Sequence, residues 1–566
     1  MDLASVRSEK SLFSMNEALL ETESISYDVL GDFHDATESL NLPYRIGLAN
    51  NDKRELRPHH APGARRDDHS GAEWTRTSKG LSVPPSSDRK RVVKPTKDGK
   101  SHKAYPSKHR ASTTSTQKLI RIARPQPTPW TMLGPNSALT ASVLPCNLPD
   151  SLLKQYLHQI PYTLGEMVSR GASGSDYGKA FAMNVMSSIT ASPALLHSII
   201  FAQMLYDRVH QGIHSATPIE VEVGSTAVEH LNREISNPKR AVSESHIWAV
   251  VALAYSGRVA VLRSGLQYPH QSFLKELQSI HVYCRMEVVF EHVLGLIKMI
   301  EMVGGLQNIS TPGIAQMISL AGIIGACRMV QKPIFPFIPH TTSFLQDGEL
   351  NVSQAEFDIV AAELGNLGTG FWDVWDVRSA SGMFDFFAVI QHACDFTVVV
   401  ENYIRGRWTS RTSTEIMDQR NYIQHSLMSL KSYSELAADE GTVDEVHYES
   451  ARLAVIIYSF LVIFPIPPVA GPFETLTRLL RQELEQHDLK DGRPARLHIQ
   501  LWVLMMGCIA SVGLPCRPWF LSQLAVYLKI AKVERWQNLQ EILQTFLWHP
   551  GTNNVDGLDI WDEIEA

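Results

Sequence analysis

The sequence has few cysteines, and it lacks the paired cysteine spacings that hold zinc. The chain of 566 residues contains six cysteines, and the closest two are eight residues apart. Zinc ligands typically come in pairs two to four residues apart, because a short turn then presents both thiolates to one ion. The dispersed spacing predicts buried free thiols in a reducing compartment rather than metal ligands or disulfides. The six are Cys146, Cys284, Cys327, Cys394, Cys508 and Cys516.

The sequence also lacks the short motifs that mark common enzyme classes. It has no GxxxxGK phosphate loop, no GxGxxG turn after a strand, no HExxH helix and no GxSxG elbow. The stretch GASGSDYG, 171–178, has no lysine placed to meet a phosphate and is interpreted as a linker between helices. His392 and Cys394 on an apolar helix are interpreted as core residues, and Asp373 and Asp376 as surface acids. We predict that the protein is not an enzyme and has no catalytic, cofactor-binding or metal-binding residues.

The longest hydrophobic runs are too short for a membrane helix, which needs about 20 apolar residues. In LAVIIYSFLVIFPIPPVAGPF, 453–473, the prolines that begin at Pro465 should end a helix near Phe464. In LWVLMMGCIASVGLPCRPWF, 501–520, we expect a helix from after His498 to Gly513, about four turns long. Helices this short and apolar on every side indicate the centre of a large helical domain rather than a lipid environment. We predict no membrane association.

The first 45 residues form an acidic segment in which hydrophobic residues are interspersed. Between positions 11 and 44 there are seven acidic side chains and no lysine or arginine. This composition is typical of amphipathic activation segments, and it is equally that of a solvated tail or a short surface helix. The N-terminus has no apolar run of the kind found in secretory signals, so we expect an intracellular protein.

Residues 46–145 are rich in Pro, Ser, Thr, His and Arg, and their composition predicts a disordered linker. Within it, the basic stretch 86–124 has twelve Lys or Arg residues against two Asp, although the formal net charge of the whole chain is -7. A segment of this charge would contact nucleic-acid phosphates without distinguishing bases. Its RKRVVK core also resembles a nuclear import signal, while an ordinary solvated linker remains the alternative. The candidates for import or phosphate contact are Arg89, Lys90, Arg91 and Lys94.

From residue 146 to 566 the pattern of apolar residues has helical periodicity, which predicts an all-α domain. Ser192 followed by Pro193 has the form of a helix start, with the serine as the N-cap. Further helices are predicted over 245–262, 286–303, 383–404 and 473–487. No sustained period-two alternation indicates a sheet, and no heptad run indicates a coiled coil.

The C-terminal third resembles the fungal-specific transcription factor domain, the helical regulatory region of fungal binuclear zinc-cluster regulators. The similarity lies in the order of four segments: ARLAVIIYSFLVI (451–463), LWVLMMGCIASVGLPCRPWF (501–520), VERWQNLQEILQTFLWHP (533–550) and GLDIWDEI (557–564). Weaker similarity occurs in SPALLHSIIFAQMLY (192–206) and HVLGLIKMIEMVGGL (292–306). The resemblance implies a large all-α domain, a nuclear location and control of transcription, often of a metabolic or biosynthetic pathway.

The sequence departs from this family in one respect. Zinc-cluster regulators place six cysteines near the N-terminus, whereas the first cysteine here is Cys146, after the basic stretch. Sequence-specific DNA contacts therefore do not carry over. The hypothesis is a nuclear regulator that acts through a DNA-binding partner protein or the transcription machinery, with at most non-specific DNA contact through 86–124. A zinc cluster encoded by a further N-terminal exon remains open as the other explanation. The alternative is a cytoplasmic scaffold or ligand-sensing helical protein.

Overall fold

The computed structural model describes the chain from residue 148 onward, with several gaps. The described residues are 148–168, 176–236, 242–255, 259–260, 272–341, 354–375, 383–405, 412–440, 447–469, 471–486 and 494–566. Predictions were made for the acidic segment 1–45, the linker 46–145 and the basic stretch 86–124, and all three lie outside the described residues.

The described part of the chain is all-α and contains no strand, as the sequence pattern predicts. The helices are α1 (Asp150–Val168), α2 (Asp176–Ala191), α3 (Pro193–His210), α4 (Pro218–Ile235), α5 (Glu244–Ala254), α6 (Ile280–Tyr283), α7 (Phe290–Met302), α8 (Ile314–Met329), α9 (Gln354–Leu364), α10 (Thr369–Val374), α11 (Phe384–Ile404), α12 (Ser413–Ser429), α13 (Tyr433–Glu440), α14 (Tyr448–Leu461), α15 (Pro472–Gln486), α16 (Pro494–Ala510), α17 (Arg517–Ala531), α18 (Trp536–Leu543) and α19 (Pro550–Glu565). Short 3-10 turns span Phe273–Ser279 and Leu306–Asn308.

Helix ends follow local sequence signals where those signals are strong. Ser192 caps α3, because its side chain accepts a hydrogen bond from the backbone N–H of Leu195. Pro193 occupies the first turn, as predicted. The prediction that the proline-rich run stops a helix near Phe464 is also confirmed, since α14 ends at Leu461.

Besides the start of α16, three predicted boundaries are wrong. The helix expected over 245–262 ends at Ala254, and the one expected over 286–303 begins only at Phe290. The reason is a short extended pairing between Val259 and Met286, which removes both ends from helical geometry. The third concerns GASGSDYG, whose last residues, 176–178, belong to α2 rather than to a linker.

Most helices contribute to one continuous apolar core, and α16 lies at its centre. The side chains of Leu501, Trp502 and Met505 are fully buried. The ring of Trp502 meets Phe371 edge to face at 5.2 Å and stacks on Phe546 at 5.6 Å. Such aromatic contacts add to the stabilisation that burial alone provides.

α16 begins at Pro494, earlier than expected, and it is packed among other helices over its C-terminal half. Within the described residues, no single helix is both long and apolar enough to cross a membrane. Asn184–Ala191 and Pro193–His210 meet the criteria of length and composition only when taken together, and the two helices are bent by 119° at the break between them.

The four segments that carry the resemblance pack together, because α14 lies against α16 and specific contacts join the other three. Trp502 in α16 hydrogen-bonds to the carbonyl oxygen of Leu547. Arg517, at the start of α17, donates to the carbonyl oxygen of Cys508 and forms an ion pair with Glu563 in α19. A Cβ placed on Gly557 would lie only 2.7 Å from the ring of Trp536, so these elements meet closely enough to require glycine. These sequence features therefore form a structural unit.

Candidate functional site

The predicted import or phosphate-contact residues Arg89, Lys90, Arg91 and Lys94 lie outside the described residues. The candidate site therefore comes from the described helical part, where the most unusual element is α12. This helix is buried, yet it contributes polar and charged side chains to the interior. Buried polar groups are costly unless they are hydrogen-bonded, so their partners indicate what the helix does. The buried polar residues of α12 are Asp418, Gln419, Arg420, Asn421 and Gln424.

Asp418 binds the segment that follows α8. Its carboxylate accepts hydrogen bonds from the backbone N–H of His340 and from the backbone N–H and hydroxyl of Thr341, between 2.8 and 3.0 Å. The Nδ1 atom of His340 lies 2.9 Å from Oδ1, and because an ionised carboxylate only accepts, Nδ1 must carry the proton. Asp418 thus holds an extended segment in place with buried charge-assisted bonds.

Arg420 binds a second segment, the 3-10 turn Phe273–Ser279, on another side of α12. Its fully buried guanidinium donates to the carbonyl oxygens of Leu274 and Leu277 at 3.3 and 3.1 Å, and to the side chain of Gln278. The group lies 5.2 Å from the ring centroid of Phe464. Burial lowers the pKa of Arg420 to about 9, so the group is still a cation at neutral pH.

The segment bound by Arg420 has a strained backbone. Gln278 and Ser279 have φ values of 55° and 53°, a left-handed conformation that non-glycine residues adopt rarely. Gln278 is held from two further directions, because its amide donates to the carbonyl oxygen of Met167 in α1 and accepts from Asn421. The polar face of α12 therefore connects α1, the turn at 272–280 and the segment after α8.

Two buried cysteines adjoin this network. Gln424 donates to the sulfur of Cys327 at 3.2 Å and accepts a hydrogen bond from the hydroxyl of Ser459. Burial raises the pKa of the Cys327 thiol well above its ordinary value and that of Cys284 to about 12. Both thiols are protonated at neutral pH, and a protonated buried thiol is a poor nucleophile and metal ligand.

A cavity of about 150 Å³ lies at the C-terminal end of α12. It is bordered by the residues that follow α8, by the start of α13 and by α14, and it combines an apolar floor with charged walls. A second hollow, beside Tyr255 and Gly325, measures about 10 Å³, which is no more than a single water needs. The larger cavity is the candidate binding site.

A hydroxyl, an imidazole and a carboxylate also align near the C-terminus. His549 Nε2 lies 2.7 Å from Glu401 in α11, and Nδ1 lies 2.9 Å from the hydroxyl of Thr552. The hydrogen bond from His549 lowers the pKa of Glu401 to about 2, despite partial burial that opposes this shift, and Arg405 contributes further. Neither cavity borders these residues, and their contacts fasten the start of α19 to α11.

The structure also locates the cysteine, histidine and aspartate residues that the sequence analysis interprets as core or surface groups. Cys394 and Cys508 are buried in α11 and α16, and burial raises the pKa of each thiol. The ring of His392 lies 5.6 Å from that of Tyr422, and Asp373 is exposed. Asp376 lies outside the described residues. Within the described ranges, no group of three His, Cys, Asp or Glu side chains is placed to hold a metal ion.

Sequence reasoning missed α12 altogether. A signal was present, because Thr412 and Glu415 form a capping box in which each side chain bonds the other's backbone N–H. The polar residues that follow obscure the apolar stripe by which buried helices are recognised.

Comparison with known proteins finds no relative: no protein-family model, no curated protein and no solved structure matches this chain.

Proposed function

We propose that this protein is a nuclear regulator of transcription of the fungal type, acting on a metabolic or biosynthetic pathway through a partner that recognises DNA. The observation that supports this most directly is the mutual packing of the segments that resemble the fungal regulatory domain. The hydrogen bond from Trp502 to Leu547 joins α16 to the Phe-Leu-Trp stretch that follows α18. The ion pair between Arg517 and Glu563 joins α17 to α19. Contacts of this kind are what the proposal expects if these segments act together as one regulatory domain.

In this proposal the basic stretch 86–124 delivers the protein to the nucleus. Its core residues Arg89, Lys90, Arg91 and Lys94 form a cluster of the composition that import receptors bind. Any DNA contact of the same stretch would be to phosphates, and it would weaken steeply with salt. Specific recognition of genes would then depend on the partner.

The test compares two triple variants of the tagged full-length protein in its own cells. We expect Arg89→Ala, Lys90→Ala and Arg91→Ala together to reduce nuclear accumulation strongly. The matched control, Lys97→Ala, Lys100→Ala and Lys103→Ala, removes the same charge from the same stretch and should leave the protein nuclear. Unchanged nuclear accumulation of the first variant would remove its residues from the proposal.

A cytoplasmic ligand-sensing protein is the second candidate, and the 150 Å³ cavity at the end of α12 favours it. The two candidates differ in location. Cell fractionation under several growth conditions separates them, because a protein that stays in the cytosol under every condition would support the sensor and contradict the nuclear regulator.

A further inference from the structure

Two exposed aromatic residues are joined through a buried one at the start of α11. The ring of Trp372 in α10 stacks on that of Phe387, with centroids 4.5 Å apart and an angle of 15° between the planes. Phe384 precedes Phe387 by three residues, which places both on one side of α11. Phe387 is buried, whereas Trp372 is 40% and Phe384 is 78% exposed. We call Trp372, Phe384 and Phe387 the aromatic strip.

The fold holds the aromatic strip in this position. Phe371 within α10 and Trp375 at its end are buried, so the helix turns Trp372 outward. The ring of Trp375 also meets that of Phe387 edge to face at 6.1 Å. Tryptophan is frequent among the residues that dominate interface energies, and its rigid side chain loses little conformational freedom on binding. The strip is therefore preorganised for contact with another molecule.

The surroundings of the strip are acidic. Helices α9, α10 and α11 contain three, one and three Asp or Glu residues respectively, and no Lys or Arg. Asp373 and Asp385, the sequence neighbours of Trp372 and Phe384, are exposed and make no ion pair within the described part of the chain. Burial lowers the pKa of His498 near Asp373, so this imidazole is neutral at pH 7 and does not compensate the carboxylate. Such a surface repels nucleic acid and anionic lipid and favours a cationic partner.

The aromatic rings favour a cation as well. The face of a tryptophan ring attracts cations, and an arginine can stack on the ring while its N–H groups bind a neighbouring carboxylate. Neither of the two cavities described above borders the strip, so a small free cation would not be enclosed. An extended chain with several arginines, in contrast, can contact both exposed rings and both carboxylates at once. We propose that the aromatic strip, with Asp373 and Asp385, binds an arginine-rich segment of a partner protein.

This surface suits the partner that the proposed function requires, because proteins that bind DNA carry basic segments. The description of the partner as a DNA-binding protein rests on the proposed function, whereas the binding of an arginine-rich segment does not. The surface includes no residue of the stretch 86–124 and needs no nuclear location, so each proposal can fail without the other.

The test is fluorescence anisotropy of a labelled peptide of repeated Arg-Gly-Ser units, titrated with the full-length protein. The dissociation constant should be about 10 to 100 μM in about 50 mM salt, and binding should be at least about tenfold weaker in about 500 mM salt. The control peptide has citrulline, a neutral isostere, at each arginine and should not bind. Equally tight binding of the citrulline peptide, or no saturable binding of the arginine peptide up to about 300 μM protein, would overturn the proposal.

Aromatic variants test the contact with the rings. Trp372→Ala and Phe384→Ala should each weaken binding of the arginine peptide by at least about threefold. The control Tyr162→Ala removes an aromatic side chain that is 69% exposed on α1, and it should not change the affinity. Phe384→Ala should fold normally, because this side chain makes little contact with the core. Unchanged affinity in both Trp372→Ala and Phe384→Ala would overturn the proposal.

Charge variants distinguish a local site from attraction to the whole acidic protein. Asp373→Asn together with Asp385→Asn should weaken binding by at least about fivefold. The matched control, Asp559→Asn together with Asp562→Asn, removes the same charge from exposed positions of α19 and should have less than about a twofold effect. An equal loss of affinity in the two double variants would show that the peptide responds only to net charge, and the proposed site would then be wrong.

Discussion

The indole N–H of Trp502 donates a hydrogen bond to the carbonyl oxygen of Leu547 over 3.0 Å, inside the apolar core. The two residues come from different segments of the family-like sequence, 45 positions apart. A polar bond in this position fixes how the two segments face each other, since leaving either group unpaired there would be costly.

Trp502→Phe should therefore destabilise the protein by about 2–4 kcal/mol. It leaves the carbonyl oxygen of Leu547 without its donor, at about 1–3 kcal/mol, and it opens a small cavity. Trp372→Phe is the matched control, because Trp372 is 40% exposed and its loss should cost below about 1 kcal/mol. Urea unfolding followed by tryptophan fluorescence measures both changes. Equal free energies of unfolding for the two variants would show that the bond contributes nothing.

Gly507→Ala should destabilise the protein because α16 and α17 touch at this residue. A Cβ there would lie 2.4 Å from the ring of Phe520, which is fully buried. Overpacking of this kind costs about 1–3 kcal/mol. In Gly295→Ala the new Cβ meets no atom within 4 Å, so that helical substitution should be neutral or stabilise by up to about 1 kcal/mol. Thermal unfolding should give a lower melting temperature for Gly507→Ala and an equal or higher one for Gly295→Ala, and a stabilising Gly507→Ala would contradict the packing.

Arg420→Met should loosen the turn at 272–280. The variant removes donors from the carbonyl oxygens of Leu274 and Leu277 and from Gln278, so the expected loss is at least about 2 kcal/mol. Amide hydrogen exchange should accelerate within that turn. The control Arg481→Met removes a 41% exposed guanidinium that lies over Trp519 and should cost below about 1 kcal/mol. Unchanged exchange at 272–280 in Arg420→Met would contradict the role of Arg420.

Glu401→Gln tests the link between α11 and α19 through its dependence on pH. Because His549 and Arg405 hold the pKa of Glu401 at about 2, below the 4.5 of an unperturbed glutamate, the carboxylate stabilises the fold fully above about pH 4.5. This contribution is lost as the pH falls from 4.5 towards 2. At pH 7 the variant should be less stable by about 1–3 kcal/mol, and the difference should shrink in acid.

The free energy of unfolding, measured between about pH 3 and pH 7, checks this expectation. Glu229→Gln changes a carboxylate that is 72% exposed and serves as the control, with little effect at any pH. A stability loss in Glu401→Gln that is the same at every pH would show that the charge of Glu401 is not involved.

Much of the fold is predictable from the sequence because apolar periodicity and caps are local signals. The stripe of Leu195, Ile199 and Met204 predicts the buried face of α3, and Ser192 with Pro193 predicts its start. The ends near Ala254 and Phe290 are not predictable in this way. They depend on the pairing of Val259 with Met286, a contact between residues distant in sequence.

The candidate site is harder to predict than the fold. Lys332 and Arg452 are 120 positions apart, and only the packing of α8, α12 and α14 brings them to one cavity. The left-handed conformation of Val330 has no local signal either, because the sequence offers a β-branched residue where glycine would be expected. Sites assembled from helix ends in this way depend on tertiary structure more than on motifs.

The most direct test of the proposed function is chromatin occupancy of the tagged protein across its own genome. The full-length chain should be compared with a version in which residues 86–124 are replaced by an unrelated nuclear import signal. If a partner recognises the DNA, both should occupy the same discrete sites, because the basic stretch serves only for import. A nuclear protein with no discrete sites in either version would contradict the account.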